Sequence, residues 1–320
     1  MPSGLVHVAP GAAMVHDALK GSPMTRTTAT LIGFSAVALW ALLALFTVAT
    51  APVPPLLLNA LCFGVGGAVG VVWLIATGGF GQLRGVPLPV YAFGTIGLFG
   101  YHFLYFSALR LAPPAEAGLV AYLWPLLIVV FSGLLPGEKL RAGHLAGALL
   151  AFAGAALIIG SGLGALEGAG TGYALALLAA LAWSGYSLIS RRLGQVPTGA
   201  VAVFCLASAA LAGLAHLALE TPQWPEGTLG WAAVVALGLG PVGLAFFTWD
   251  IGVKRGDIQL LGTAAYAAPL ISTLVLVLAG VAPATPVLAV SAALITGGAV
   301  LAARAGRPSG KPAVRLSKGG

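Results

Sequence analysis

The sequence predicts an all-α integral membrane protein with ten transmembrane helices, arranged as two inverted five-helix repeats. Three observations carry this. Of the 320 residues, 59% are apolar and only 7% are charged, whereas soluble domains carry about 25% charged residues. The basic residues sort almost wholly to one face once ten spans are drawn. A short motif recurs at a fixed offset with five spans per repeat. The 15 Lys and Arg and 8 Asp and Glu are too few to coat a water-soluble globule of this length. A soluble enzyme, a nucleic-acid binder and a disordered tail protein are excluded together, and the net charge of +7 reports topology rather than a nucleic-acid partner.

Residues 1–28 are mixed in character, carry Asp17, Lys20 and Arg26, and lack periodicity; they read as a disordered cytoplasmic segment. Met24, directly before the first apolar run, is a second candidate start. The runs fall at 29–48, 56–77, 88–109, 115–135 and 143–161, then at 171–190, 199–218, 228–249, 260–279 and 285–303. Each is about the length a helix needs to cross a bilayer. Turn formers separate them: Pro52, Pro54 and Pro55; Gly78-Gly79; Pro113-Pro114; Pro136-Gly137; Gly194 to Pro197; Pro222 and Pro225; Gly256; Pro283 and Pro286. The first run ends in Ala49-Thr50-Ala51, like a signal-peptidase site. Its apolar core exceeds the 7–15 residues of a cleaved signal, so it reads as a retained helix. Residues 304–320 form a basic cytoplasmic tail.

Ten spans put both termini on one side. With the termini cytoplasmic, that side receives every Lys and Arg except Arg110, as the excess of basic residues in cytoplasmic loops requires. The expected location is the inner (cytoplasmic) membrane, multi-pass. Glu116, Glu167, Glu220 and Glu226 fall at the opposite boundary or in its loops, where Glu116 suits the start of a helix and is within reach of Arg110.

Residues 118–126 and 262–270 match at Gly118/Gly262, Ala121/Ala265, Tyr122/Tyr266, Pro125/Pro269 and Leu126/Leu270, all 144 apart. Gly154/Gly298 continue that offset, and Trp40 matches Trp183 at 143. Five spans per half is odd, so the second half enters from the opposite side. Transporters use such inverted repeats to build two gates around one central site.

The chain resembles the drug/metabolite transporter superfamily, in its ten-helix group built from two EamA-type repeats, here 29–161 and 171–303. The stretch Tyr101-His102-Phe103-Leu104-Tyr105-Phe106-Ser107-Ala108-Leu109-Arg110, Ala115-Glu116-Ala117 and Tyr122-Leu123-Trp124-Pro125-Leu126 resembles the YddG-type aromatic amino acid exporters, and Gly137-Glu138 fits the wider family. The resemblance implies a helical basket around a central cavity and the export of amino acids, with other amphiphilic metabolites as an alternative substrate class.

Several residues bear on that chemistry. Pro125 and Pro269 fall within spans four and nine and free the carbonyls of Ala121 and Ala265, either as paired bends at a wet cavity or as ordinary kinks. Trp40, Tyr101, Tyr122, Trp124, Trp183 and Tyr266 sit within spans, away from the interfaces where Trp and Tyr usually gather, and are candidate substrate-binding residues. Trp73, Trp224 and Trp231 read as belt or loop residues. His102 is an ionisable group at depth, either facing substrate or hydrogen-bonded between helices. Asn59, Gln259 and Asp250 are further polar contacts, with Asp250 also placed to pair with Lys254 one turn on. Cys62 and Cys205 read as free core thiols, and His144 and His216 as structural.

No P-loop, GxSxG or HExxH motif is present, no Cys/His cluster has metal-ligand spacing, and no carboxylate lies at mid-span. The expectation is therefore a transporter with no catalytic residue, cofactor or metal. Its partners are a small-molecule substrate and membrane lipid, with no nucleic acid and no obligate protein. A membrane enzyme or receptor without transport activity is the alternative from another class.

Overall fold

The computed structural model describes residues 24–132, 141–162, 169–192, 196–256, 261, 265 and 268–306. The regular elements among them are all helical. The first apolar run forms α1 (Arg26–Ala41) and α2 (Leu43–Ala49), parted at Leu42. Thr25 caps α1 by accepting from the Thr28 amide at 3.1 Å. Next come α3 (Pro55–Thr77) and α4 (Leu88–Leu111). The fourth run is again divided, into α5 (Pro114–Ala121) and α6 (Trp124–Ser132). Then follow α7 (Ala142–Gly162), α8 (Ala169–Arg192) and α9 (Ala200–Leu219). The eighth run is α10 (Gly227–Leu239), a π turn over Gly240–Leu244, and α11 (Ala245–Arg255). The chain closes with α12 (Ala268–Leu278) and α13 (Pro286–Gly306).

Among the described residues six stretches are long and apolar enough to cross a membrane: Arg26–Ala49, Pro55–Thr77, Leu88–Leu111, Ala169–Ser190, Ala200–Leu219 and Gly227–Arg255. Among the described residues Ala142–Gly154, Ala268–Leu278 and Pro286–Ala302 are shorter apolar helical stretches. Leu149, Leu217, Leu229, Leu278, Val72 and Ile75 point outward. On a water-soluble surface so many large exposed aliphatics would aggregate; against lipid they are what the solvent demands.

Four helix pairs form the main packing: α3 on α9, α7 on α13, α1 on α11 and α4 on α8. All four are antiparallel. Gly143 meets Ala305 while Gly154 meets Ser291 and Ile295, so α7 and α13 run opposite ways. Likewise Gly67 meets Leu206 and Gly70 meets Ala202; Gly33 meets Gly252 and Gly256 meets Thr30; Gly97 meets Tyr186 and Gly172 meets Ala112. Small residues at these crossings let backbones approach closely, which stands in for the hydrophobic driving force that lipid removes. At the closest crossing, a methyl on Gly147 would fall 2.8 Å from the Ala302 amide nitrogen, and one on Gly298 would fall 2.8 Å from that of Ala151.

The polar residues at the helix ends are committed to the fold. Pro55 opens α3 without an amide proton, and the carboxylate of Glu220 accepts from the next two amides, Leu56 at 2.9 Å and Leu57 at 3.1 Å. His216 bonds the same carboxylate at 2.9 Å. Glu116 accepts from the Tyr173 hydroxyl, not from Arg110. Arg110 points to oxygens at the end of α2 and the turn after it. The expected Glu116–Arg110 pair does not form because each group has a nearer partner on another helix.

Candidate functional site

The interruptions in the first, fourth and eighth apolar runs come together. At the first, α1 ends and Trp40 points inward; at the second, Tyr122 and Leu123 separate α5 from α6. The Tyr122 hydroxyl donates to the Trp40 carbonyl at 2.8 Å. The Trp40 indole N–H donates to the Pro241 carbonyl in the π turn at 3.1 Å. Ser184 donates to the Trp124 carbonyl at 3.0 Å. Side chains thus satisfy the polar groups that irregular backbone leaves within an apolar interior.

Trp40, Trp124 and Trp183 form a triangle of indoles. Their centroids lie 6.4 Å (Trp40–Trp124), 5.8 Å (Trp40–Trp183) and 6.4 Å (Trp124–Trp183) apart, each pair edge to face. The quadrupoles of aromatic rings favour this arrangement over face-to-face stacking. Trp249 reaches Trp40 at 5.0 Å and Trp124 at 6.3 Å. Tyr101 lies 5.1 Å from Trp183.

A cavity lies against these rings, lined by Trp40, Leu43, Tyr101, Tyr105, Ala121, Tyr122, Trp124, Trp183 and Phe246. No charged side chain is among them. Its volume is about 20 Å³, room for the centre of one or two waters. The wall offers indole and phenol faces for stacking and for holding a cation. Of the three tyrosine hydroxyls, that of Tyr105 is buried and has no protein partner among the described residues.

The structure gathers five of the sequence candidates on this wall: Trp40, Tyr101, Tyr122, Trp124 and Trp183. His102 stands one layer behind, fully buried among Phe63 (5.0 Å), Tyr101 (4.9 Å), Phe106 (5.5 Å) and Phe246 (5.4 Å). Its Nδ1 donates to the Leu98 carbonyl at 3.0 Å, and Nε2 has no partner among the described residues. Asn59 is buried between α3 and α4 and donates to the Phe99 carbonyl at 3.2 Å. Asp250 is ion-paired with Lys254 at 2.7 Å, away from the cavity wall. Pro125 is the second residue of α6, so a break in the fourth run takes the place of a mid-helix kink there, and Pro269 lies in α12. Tyr266 and Gln259 lie outside the described residues.

Sequence reasoning missed Leu43, Phe246 and Trp249. Phe246 and Trp249 are three apart on α11 and therefore share a helix face. That spacing was the available signal, and it is weak in a chain this apolar.

The sequence model of the EamA-like transporter family matches residues 27–160 and again 170–304. The chain belongs to the EamA-like transporter family. It is therefore a multi-pass membrane protein of a transporter family. A relative from Ancylobacter novellus, the aromatic amino acid exporter YddG, is 57% identical over 283 residues, 87% of this chain and 98% of that protein. The aromatic amino acid exporter YddG of Escherichia coli (strain K12) is 25% identical over 263 residues, 78% of this chain and 88% of the relative. The biotin transporter of the same strain is 29% identical over 174 residues, 53% of this chain and 58% of its own length. A crystal structure of a protein 56% identical in sequence superposes with a TM-score of 0.72, covering 89% of this chain and all of that one.

Proposed function

We propose that this EamA-family member is a secondary transporter that exports amino acids, aromatic ones favoured, across the cytoplasmic membrane by alternating access. One observation carries the reading: the wall where the helix breaks meet is made of stacking surfaces, with three indoles at its centre and no charge among the described residues. An aromatic side chain finds faces and edges there, and an ammonium group finds ring faces. The exporter named in Ancylobacter novellus, similar along nearly its whole length, supports the same substrate class.

The transport cycle rests on an architecture of ten spans in two inverted repeats, 29–161 and 171–303. Two matches to one family support the repeat. The packing supports the inversion. Exchanging the halves turns the pairing of spans one and eight into that of six and three, and leaves two with seven and five with ten. The self-equivalent pairs are antiparallel, as an axis in the membrane plane requires. The sorting of basic residues supports cytoplasmic termini, flanked by the segment 1–28 and the tail 304–320.

A cavity of about 20 Å³ is too small for an amino acid side chain. The wall must therefore separate to admit substrate, and this arrangement suits the closed point of the cycle. Flux of labelled phenylalanine and tryptophan through proteoliposomes tests the proposal; absence of flux above that of empty liposomes overturns it. Export of other amphiphilic metabolites is the second reading, favoured by the uncharged wall and by the similarity to the biotin transporter. Competition by unlabelled biotin and by uncharged aromatics in the same assay separates the two.

A further inference from the structure

Outside the cavity, one polar link is built twice. Arg110, in the last turn of α4, donates from Nε and Nη2 to the Val53 carbonyl at 3.2 and 3.0 Å. It also donates to the Thr47 carbonyl and the Thr50 hydroxyl, both at 3.0 Å. Lys254, in the last turn of α11, donates to the Val196 carbonyl at 2.5 Å and to Asp250 Oδ2 at 2.8 Å. Asp250 in turn accepts from the Thr198 hydroxyl.

The two links occupy equivalent places in the two halves. Val53 and Val196 are 143 apart, as are Trp40 and Trp183, and each precedes a proline, Pro54 or Pro197. Arg110 and Lys254 are 144 apart, as are Pro125 and Pro269. The chemistry explains why a cation is placed there. A residue before proline is held extended, so its carbonyl lies outside the helix that follows and takes a donor from elsewhere. A cation in the last turn of a helix also faces the negative end of the helix dipole. The links differ in their backing. Arg110 forks over three acceptors, whereas Lys254 is held by Asp250, whose counterpart in the first half is Phe106.

Each link also grips an element of the cavity wall. Arg110 holds the end of α2, whose first residue Leu43 lines the cavity; Lys254 stands on α11, which supplies Phe246. Both links are made while the cavity is near 20 Å³. We propose that Arg110 and Lys254 are positioning residues for transport, a matched pair of latches at opposite faces of the membrane. Opening toward one face releases the latch of that face and keeps the other. This rests on the alternating-access reading above.

The experiment places a reporter thiol on the wall, Ala121→Cys, beside the native Cys62 and Cys205, which are buried. A membrane-impermeant maleimide is applied in right-side-out and in inside-out vesicles. Arg110→Gln is expected to raise labelling from the outer side about tenfold and to lower it from the inner side, the scale of losing one hydrogen bond to a charged group. Lys254→Gln is expected to do the reverse. The milder Arg110→Lys and Lys254→Arg keep the charge, preserve the fold, and should move the ratio back toward that of the parent. Shifts in the same direction, or an unchanged side ratio in all four variants, overturn the latches; lowered folded yield with an unchanged ratio makes both residues plain structural ties. If the reporter in the parent protein is labelled from one side only, with or without phenylalanine, alternating access itself fails.

Discussion

The Tyr122 hydroxyl donates to the Trp40 carbonyl across 2.8 Å, joining the break in the fourth apolar run to the break in the first. Both residues are buried on the cavity wall, and the bond fixes where two of its aromatic rings sit relative to each other.

Tyr122→Phe keeps the ring and removes the hydroxyl, which donates to Trp40 and also bonds the Ser272 side chain. The buried Trp40 carbonyl loses its side-chain partner, at a cost of about 1–3 kcal/mol. Aromatic amino acid flux should fall severalfold while the purified yield stays near that of the parent. Unchanged flux would mean that this bond is dispensable for transport.

Trp124 touches Trp40, Trp183 and Trp249 in a nearly closed interior. Truncation there opens a hole, and Trp→Ala in packed cores costs about 3–5 kcal/mol. Trp124→Ala should therefore lower the melting temperature and flux together. Trp124→Phe should keep most of the stability and still weaken competition by tryptophan more than by alanine. Equal loss for both competitors would argue that the triangle packs the protein without reading the substrate.

Glu220 supplies a contrasting control. Its carboxylate caps α3 far from the aromatic wall. Glu220→Ala should cost about 1 kcal/mol, the usual loss for a helix cap. Thermal unfolding should move down, while flux per folded molecule should not. A selective loss of flux would point to an unrecognised role for that cap.

Pro125 stands in the first turn of α6 and Pro269 lies in α12. Alanine at either site restores an amide able to bond the carbonyl four residues earlier. In inverted halves the two substitutions should bias the cycle in opposite directions, read as side-specific labelling of a wall cysteine. Shifts of the same sign would remove the symmetric-hinge idea.

Among the described residues no carboxylate lines the cavity. Transport should therefore run down the substrate gradient, with the same initial rate with and without an imposed pH gradient. Several-fold acceleration by the gradient would demand a proton-carrying group, and His102, whose Nε2 has no partner among the described residues, would be the first to substitute.

Much of this molecule was legible in one dimension. Membrane residence follows from composition, because 7% charged residues cannot face water on all sides. The helical runs follow from their length and the prolines and glycines between them, and the second copy of the family pattern announces itself in the Tyr-x-x-Pro offset. Trp40 and Trp183 stood out because an indole within a span needs a partner for its N–H. Which oxygen would supply that partner was not legible: Pro241 is 201 residues from Trp40, on a π turn that no local pattern announces. The same holds for Arg110, which a short-range view pairs with Glu116 and the folded chain pairs with oxygens of Thr47, Thr50 and Val53. Periodicity and composition report what a segment must bury. Only the crossing of antiparallel helices decides against what it is buried, because that choice depends on backbones meeting at glycines far apart in the chain.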